Sequence, residues 1–251
     1  MWRRNLIIAA LVLFAAASAR AITVDELIAK NVAARGGLDK IRAIQSLRTT
    51  GKVHSGGGDF AIDIPFVELI SRPGMTREEI TMQGLTSVSA FDGTVAWQVQ
   101  PFSGRLDPER LSADDVKSIK KSADLDGPLV DYAAKGSRVE YLGTEDVDGT
   151  EAHKLKVTFN DGDVQYIYLD PDYFLQIRTI VQMRVRGVDY TEEEDWGNYE
   201  QINGVMIPFS FETGLKGQPK TTKVVYEKAE INPALDSKLF SFPAPPASAG
   251  K

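Results

Sequence analysis

The chain has 251 residues, no cysteine, two histidines, and 29 basic against 35 acidic side chains for a formal net charge of −6. That composition excludes disulfides, thiol nucleophiles, zinc fingers and multi-histidine metal sites. An acidic balance also argues against nucleic acid as a partner, because duplex binding rests on neutralising phosphates with Lys and Arg, and against charge-driven attachment to an anionic membrane surface.

Residues 1–21 have the layout of a secretory signal peptide. Arg3 and Arg4 form a basic n-region, Leu6 to Ala17 an apolar core, and Ala19-Arg20-Ala21 an A-x-A cleavage site, so the mature protein is expected to begin at Ile22. The apolar run is well short of the roughly 20 residues of a bilayer span. No cysteine stands at the cleavage point to carry a lipid. Arg3-Arg4 can also be read as a twin-arginine signal, but the n-region is very short and no bulky cofactor site follows it, which favours the ordinary secretory route. The expected product is soluble and exported. Its 230 residues, with 26 basic and 35 acidic side chains, are enough for one large β domain, or two small ones, without staples.

Thr23-Val24-Asp25-Glu26 is a capping box and predicts a helix start. Val24, Leu27, Ile28 and Val32 share one helical face, and Gly36-Gly37 supplies a left-handed stop. A second short helical piece carries Leu38, Ile41 and Ile44. From Ser46 the pattern turns to strands. Asp92-Gly93, Asp148-Gly149, Asp161-Gly162 and Asn203-Gly204 sit between apolar or alternating runs and predict the tight turns of an antiparallel meander. Alternation is clear at Phe60, Ile62 and Ile64, at Val95, Trp97 and Val99, at Leu155, Val157 and Phe159, and at Ile167 and Leu169. Pro65 precedes a shift of the apolar phase to Val67 and Leu69, which predicts a bulge that bends the sheet. Between Pro101 and Gly136 strand signals vanish. Ser112 to Asp115 can open a helix with Val116 and Ile119, and Asp126-Gly127-Pro128 another with Leu129, Val130 and Tyr132; the insertion is expected to cover the sheet's apolar face. Strands then resume, and Ala244 to Lys251 reads as a disordered tail. The expected organisation is a single domain over 22–243.

Few residues offer chemistry. His54 and His153 are lone histidines in strand contexts, where surface or structural roles are commoner than catalysis. Glu192-Glu193-Glu194-Asp195 could hold a hard cation only if the chain looped, because alternation along a strand sends neighbouring carboxylates to opposite faces; a solvated edge or loop is the expectation. Glu78-Glu79 fails as a carboxylate pair for the same reason. Ser55 to Gly58 lacks the Lys-Ser or Lys-Thr pair of a phosphate loop and reads as a hairpin turn. What remains is apolar surface: a curved sheet under amphipathic helices encloses either a filled core or a hydrophobic cavity, and periodicity leaves both open.

Val24 to Ile28 running on to Arg35-Gly36-Gly37-Leu38, Ala90-Phe91-Asp92-Gly93, Leu169-Asp170-Pro171, and Ile231-Asn232-Pro233 with Lys238-Leu239-Phe240 and Pro243 together resemble the periplasmic outer-membrane lipoprotein-sorting proteins, relatives of the LolA and LolB carriers and of the lipid-sensing domain of RseB. The order of these short motifs carries the resemblance over nearly the whole mature chain. It implies a mainly β (α+β) fold, a strongly curved antiparallel half-barrel with helices over its concave apolar face, and acyl chains as cargo. The absent cleavage-site cysteine makes the soluble carrier the closer model. The family's cavity arginine matches no single position; Arg48, Arg72 and Arg77 are all candidates.

The function so implied is a periplasmic carrier without cofactor or catalysis. It would bind the acyl chains of a lipoprotein, or another lipid, between an inner-membrane donor complex and an outer-membrane acceptor. Phe60, Ile62, Phe66, Leu69, Ile80, Met82, Phe91, Trp97 and Val99 are the candidate lining, and Leu27, Ile28, Leu129 and Tyr132 the candidate lid. The alternative is a lipid-sensing or scaffold module that docks a protein partner through acidic surface including Glu192 to Asp195. A hydrolase using Asp or Glu ranks last, for want of a nucleophile motif.

Overall fold

A computed structural model of the chain describes residues 22–56, 62–185 and 187–243. The expected signal segment, Phe60 and the tail from 244 lie outside the described residues. Helices α1 (Val24–Ala34) and α2 (Leu38–Ala43) precede strands β1 (Ser46–Ser55), β2 (Ile62–Ser71), β3 (Met75–Met82), β4 (Leu85–Phe91), β5 (Ala96–Gln100) and β6 (Arg105–Arg110). Helix α3 (Ala113–Ser122) follows, then β7 (Arg138–Val147), β8 (Thr150–Thr158), β9 (Val164–Leu169), β10 (Gln176–Val185), β11 (Val188–Ile202), β12 (Val205–Leu215) and β13 (Thr222–Ile231). The strands form one antiparallel sheet of 13 in the order β6-β5-β4-β3-β2-β1-β13-β12-β11-β10-β9-β8-β7. β6 and β7 are its two unjoined edges, so the sheet curves into a half-barrel without closing.

Local chemistry explains the punctuation. Thr23 caps α1 through the Glu26 N–H at 3.2 Å, and Glu26 returns to the Thr23 N–H at 2.8 Å. At the β7–β8 and β11–β12 turns Asp148-Gly149 and Asn203-Gly204 have φ of 51° and 89°, and 51° and 81°, the paired positive angles of a two-residue hairpin. Gly36, at φ +115°, allows α1 to run in against the β11–β12 turn; a Cβ there would lie 2.2 Å from the Gly204 carbonyl oxygen.

The helices occupy one face and one end of the sheet. Leu27 of α1 is fully buried with Leu129, Val139, Leu155, Val157, Ile167 and Leu169. Ile44, just past α2, packs with Val205, Ile207 and Phe209. This inner face is therefore solid core beneath α1 and α2. The outer face has a cover of its own: the segment from Asn232 to Pro243 lies back across β3–β5, where the Trp97 indole N–H donates to the Phe240 carbonyl at 2.8 Å and Arg77 to the Leu239 carbonyl at 2.8 Å.

Three expectations need correction. No bulge follows Pro65: β1 and β2 pair without a register shift from Ser46↔Ser71 to Ser55↔Ile62. Ile62, Ile64, Phe66 and Ile70 stay on the inner face, while Val67 and Leu69 belong to the outer one, which is apolar because the C-terminal segment covers it. The irregularity instead falls in β1–β13 between Thr50 and Gly51, where a Cβ on Gly51 would lie 2.0 Å from the Val225 carbonyl oxygen. Within 101–136 the chain forms β6, an edge strand hidden by its polar sequence Arg105-Leu-Asp-Pro-Glu-Arg110, the composition that protects sheet edges. Residues 128–136 make turns and not a helix, broken at Asp131 with φ 52°.

Candidate functional site

Register assigns each candidate to a face. Thr76, lateral to Ile70 and Phe91, and Ile80, lateral to Phe66, are on the inner side. Leu69, Arg77, Ala90 and Trp97 stand in one lateral row on the outer side. Ile62, Phe66, Ile80, Met82 and Phe91 thus share the inner face. Leu69, Trp97 and Val99 do not; Leu69 and Trp97 form the floor under the C-terminal segment, at 6% and 3% exposure. Alternation alone could not assign these residues to one side, because both faces of β2–β5 carry apolar side chains.

The lid candidates are also placed differently. Leu27 and Leu129 are core, at 0% and 4% exposure. Ile28 and Tyr132 pack against that core and line, with Val32, Leu38 and Ala133, an open apolar groove of about 720 Å³ between α1 and residues 129–134. The element that does lie across the curved face is α3. Its Lys120 ammonium sits 5.9 Å from the Phe91 ring centroid, its Ser118 hydroxyl lies 3.9 Å from the Met183 sulfur, and Lys121 pairs with Asp161 at 3.0 Å and with Asp163. No residue of α3 is buried, so these contacts hold it across the sheet without anchoring it in core.

Beyond the helices the inner face is open, with exposed apolar side chains along its end. Ile62, Leu85, Val188, Tyr190 and Leu215, all at inner positions where the strands end, are 40–67% exposed. Deeper in, rings meet edge to face or tilted across four strands: Phe66 and Tyr226 at 5.7 Å between centroids, Tyr226 and Phe211 at 6.1 Å, Phe211 and Trp196 at 5.0 Å.

The same surface carries four acids, of which the sequence reading singled out Glu78, Glu192 and Glu194 but not Glu68. Glu68 of β2 stands directly opposite Glu78 of β3 on the inner side. Glu68 accepts from the Thr49 hydroxyl at 3.2 Å, with the Tyr226 hydroxyl at 3.4 Å; burial, and then Glu78, push its carboxyl up to about 7. Glu78 is raised as well, by desolvation beside the neighbouring strands, although its side chain remains exposed at the surface. On β11 the acidic run is neither loop nor sheet edge, but a strand between β10 and β12. Its members alternate as expected: Glu193 and Asp195 face outward and are neutralised by Arg178 and Lys220, whereas Glu192 and Glu194 face inward. Glu192 accepts from the Thr213 hydroxyl, and burial, then Glu192, raise Glu194 to about 7. The outward pair is thus engaged within the sheet and is not a free docking patch.

None of the three arginine candidates reaches this surface. Arg72 is clamped by both oxygens of Asp126 at 2.6 and 2.8 Å and by the Ile44 carbonyl, Arg77 faces outward to Glu79, and Arg48 pairs with Glu230. His54 pairs with Asp63 across β1–β2, and His153 meets the Tyr141 hydroxyl at 3.0 Å and stacks on Phe174. Among the described residues no three His, Cys, Asp or Glu side chains converge as a metal site, and no helix is long and apolar enough to cross a membrane.

The curved sheet is thus plugged at one end by helices, edged at the other by exposed aliphatic side chains, and crossed by α3. Solved structures match it over nearly their whole length. A LolA superfamily protein from Nitrosomonas europaea has a TM-score of 0.61 at 15% identity, covering 88% of this chain and 98% of that one. A DUF1329 family protein from Desulfovibrio piger has a TM-score of 0.60 at 14% identity, covering 87% and 97%. An outer membrane lipoprotein-sorting protein domain from Vibrio parahaemolyticus has a TM-score of 0.56 at 12% identity, covering 87% and 97%. At these identities the likeness is one of fold. No family model and no curated protein matches the sequence.

Proposed function

We propose that the chain is exported, loses residues 1–21, and works in the periplasm as a carrier that holds the acyl chain of a lipoprotein or another lipid against the open half of its inner face. The observation that carries this reading is the exposed aliphatic and aromatic rim of Ile62, Leu85, Val188, Tyr190 and Leu215 around the open end of the sheet. Exposed apolar side chains gathered at one end of one face are the kind of surface that an apolar partner covers. Each methylene moved from water onto such a surface contributes about 0.8 kcal/mol, so one long chain supplies on the order of 10 kcal/mol before ordering costs, with no covalent step. Helix α3, held by Lys121 and without a buried residue, is the element that would move to admit and release cargo. A donor at the inner membrane and an acceptor at the outer membrane would complete the route.

The groove between α1 and residues 129–134 favours a second reading, a module that docks a protein partner there without carriage. Native mass spectrometry of the mature protein from an exporting host, followed by organic extraction, separates the two. A stoichiometric acyl species supports the carrier. An unliganded mass that stays unchanged after incubation with lipids and a fluorescent acyl probe would overturn it in favour of the partner-binding module.

A further inference from the structure

The exposed apolar side chains are not scattered. Of the ten large hydrophobic residues exposed among the described residues, seven stand at the open end of the sheet. Strand pairing puts the β1–β2, β3–β4, β5–β6, β10–β11 and β12–β13 turns all at that end. The rim of Ile62, Leu85, Val188, Tyr190 and Leu215 is joined there by Phe102, in the β5–β6 turn, and by Leu106, at the start of β6, which are 39% and 71% exposed. The turns at the opposite end carry polar pairs, Asp92-Gly93, Asp148-Gly149 and Asn203-Gly204, and Tyr173 is the one large apolar residue exposed in them.

Cargo on the inner face accounts for the five rim residues but not for the other two. Arg105 pairs with Glu109, which stands on the inner side in the lateral row of Gln98, Ser89 and Glu78, so alternation turns Leu106 outward. Phe102 lies beyond the strand ends. Charge at this end cancels itself: His54 pairs with Asp63, Arg184 with Asp189 and Lys223 with Glu212, while Lys216 and Asp107, exposed and without an ion pair, are of opposite sign. Such an end has no field with which to steer a charged protein partner. Its apolar points are also spread out, because neighbouring hairpin tips of a meander stand two strands, roughly 10 Å, apart. Separate apolar points around an open mouth suit a fluid apolar layer, which adapts to them, better than a rigid complementary surface.

We infer that the open end is a membrane-docking rim, whose hairpin tips enter the interfacial layer of a phospholipid bilayer by apolar insertion and not by charge. The inference rests on the carrier reading for its purpose and names the surface on which cargo changes hands. The five inner rim residues continue into the face that holds the acyl chain, so a chain leaving the bilayer reaches that face without crossing water. Shallow, reversible contact suits a protein that must leave the membrane again with its cargo.

The test floats the mature protein with vesicles of phosphatidylcholine alone, and of phosphatidylethanolamine mixed with phosphatidylglycerol, at about 0.1 M and about 0.5 M salt. The expected result is co-flotation with both, to a similar extent and with less than about a twofold change on adding salt. Phe102→Ser together with Leu106→Ser, both off the acyl surface, lowers vesicle partitioning by about tenfold or more and leaves binding of a fluorescent acyl probe in solution unchanged. Tyr173→Ser, at the opposite end, changes neither. Because the chain has no cysteine, Gln218→Cys in the β12–β13 turn and Tyr173→Cys can each carry an environment-sensitive dye. Vesicles shift the dye at position 218 to the blue and leave the dye at position 173 unmoved, a readout independent of how the double variant folds. No flotation of the wild type, flotation confined to anionic vesicles and abolished by salt, or equal shifts of the two dyes overturns the docking rim. Self-association that is lost in the double variant, without flotation, assigns the rim to a second copy of the chain and overturns it as well. Failure of the wild type to bind the acyl probe in solution is a separate result, and overturns the carrier.

Discussion

Glu68 is the residue that most directly ties the stability of the fold to pH. Its carboxyl is raised from the ordinary 4.5 to about 7 by burial and by Glu78, so the folded state binds its proton more tightly than the unfolded chain does. The sign follows from linkage: its favourable contribution is complete below the unfolded value and is lost as pH rises through about 7. Glu194, raised to about 7 by burial and by Glu192, acts in the same window and direction. Glu68→Gln should therefore flatten the fall in unfolding free energy between about pH 5 and pH 8, by on the order of 1–3 kcal/mol. Denaturant melts of both proteins at the two pH values check this; identical pH slopes would show that the carboxyl is solvated in the native state. Trp97 offers a contrasting case on the outer face. It is 3% exposed, with its indole N–H on the Phe240 carbonyl, and Phe240→Ala should cost about 3–5 kcal/mol through the cavity left under the C-terminal segment. The measurement is the same melt, and a loss below about 1 kcal/mol would mean that the segment is not integral to the fold.

At the scale of elements, the two ends of the inner face differ in how firmly they are closed. α1 buries Leu27 completely in a cluster of seven, so Leu27→Ala should cost about 2–5 kcal/mol. α3 has no buried residue and is tied by Lys121 to Asp161 and Asp163. Removing that tie with Lys121→Gln should cost no more than about 1 kcal/mol globally, yet speed amide exchange across Ala113–Ser122 selectively. Exchange that accelerates equally throughout the chain would contradict the view of α3 as a separately mobile cover. Legibility in the sequence follows the same division. α1, α2 and α3 could be read because capping boxes and apolar spacing are local signals, and the Asp-Gly and Asn-Gly hairpins because two residues suffice to set a turn. β6 could not, since an edge strand with polar residues lacks the alternation that marks a half-buried one. The C-terminal cover over β3–β5 was equally hidden, because nothing within β5 announces that Trp97 will meet a segment 143 residues away.

For the molecule as a whole, the curved sheet under helices was legible from repeated turns and alternation, and the face that each candidate residue takes was not. Ile62, Phe66, Ile80, Met82 and Phe91 fall on the inner face; Leu69, Trp97 and Val99 fall on the outer, and α1 with residues 129–132 fills the closed end where a lid was expected. The Glu68–Glu78 pair could not be read because it is made across two strands, whereas the alternation of Glu192 to Asp195 between the two faces was legible and their position inside the sheet was not. What the assembled fold predicts is an acyl chain lying on the inner face at the open end. The mature chain carries its own reporters for that claim, with Trp196 on the inner face and Trp97 sealed on the outer. The most direct measurement is quenching of tryptophan fluorescence by a bound alkyl chain brominated near its end, in the wild type and in Trp196→Phe. The account predicts strong quenching of the wild type and almost none of the variant, in which Trp97 alone emits. Binding that leaves Trp196 unquenched, or quenches Trp97 equally, would place the chain elsewhere and contradict it.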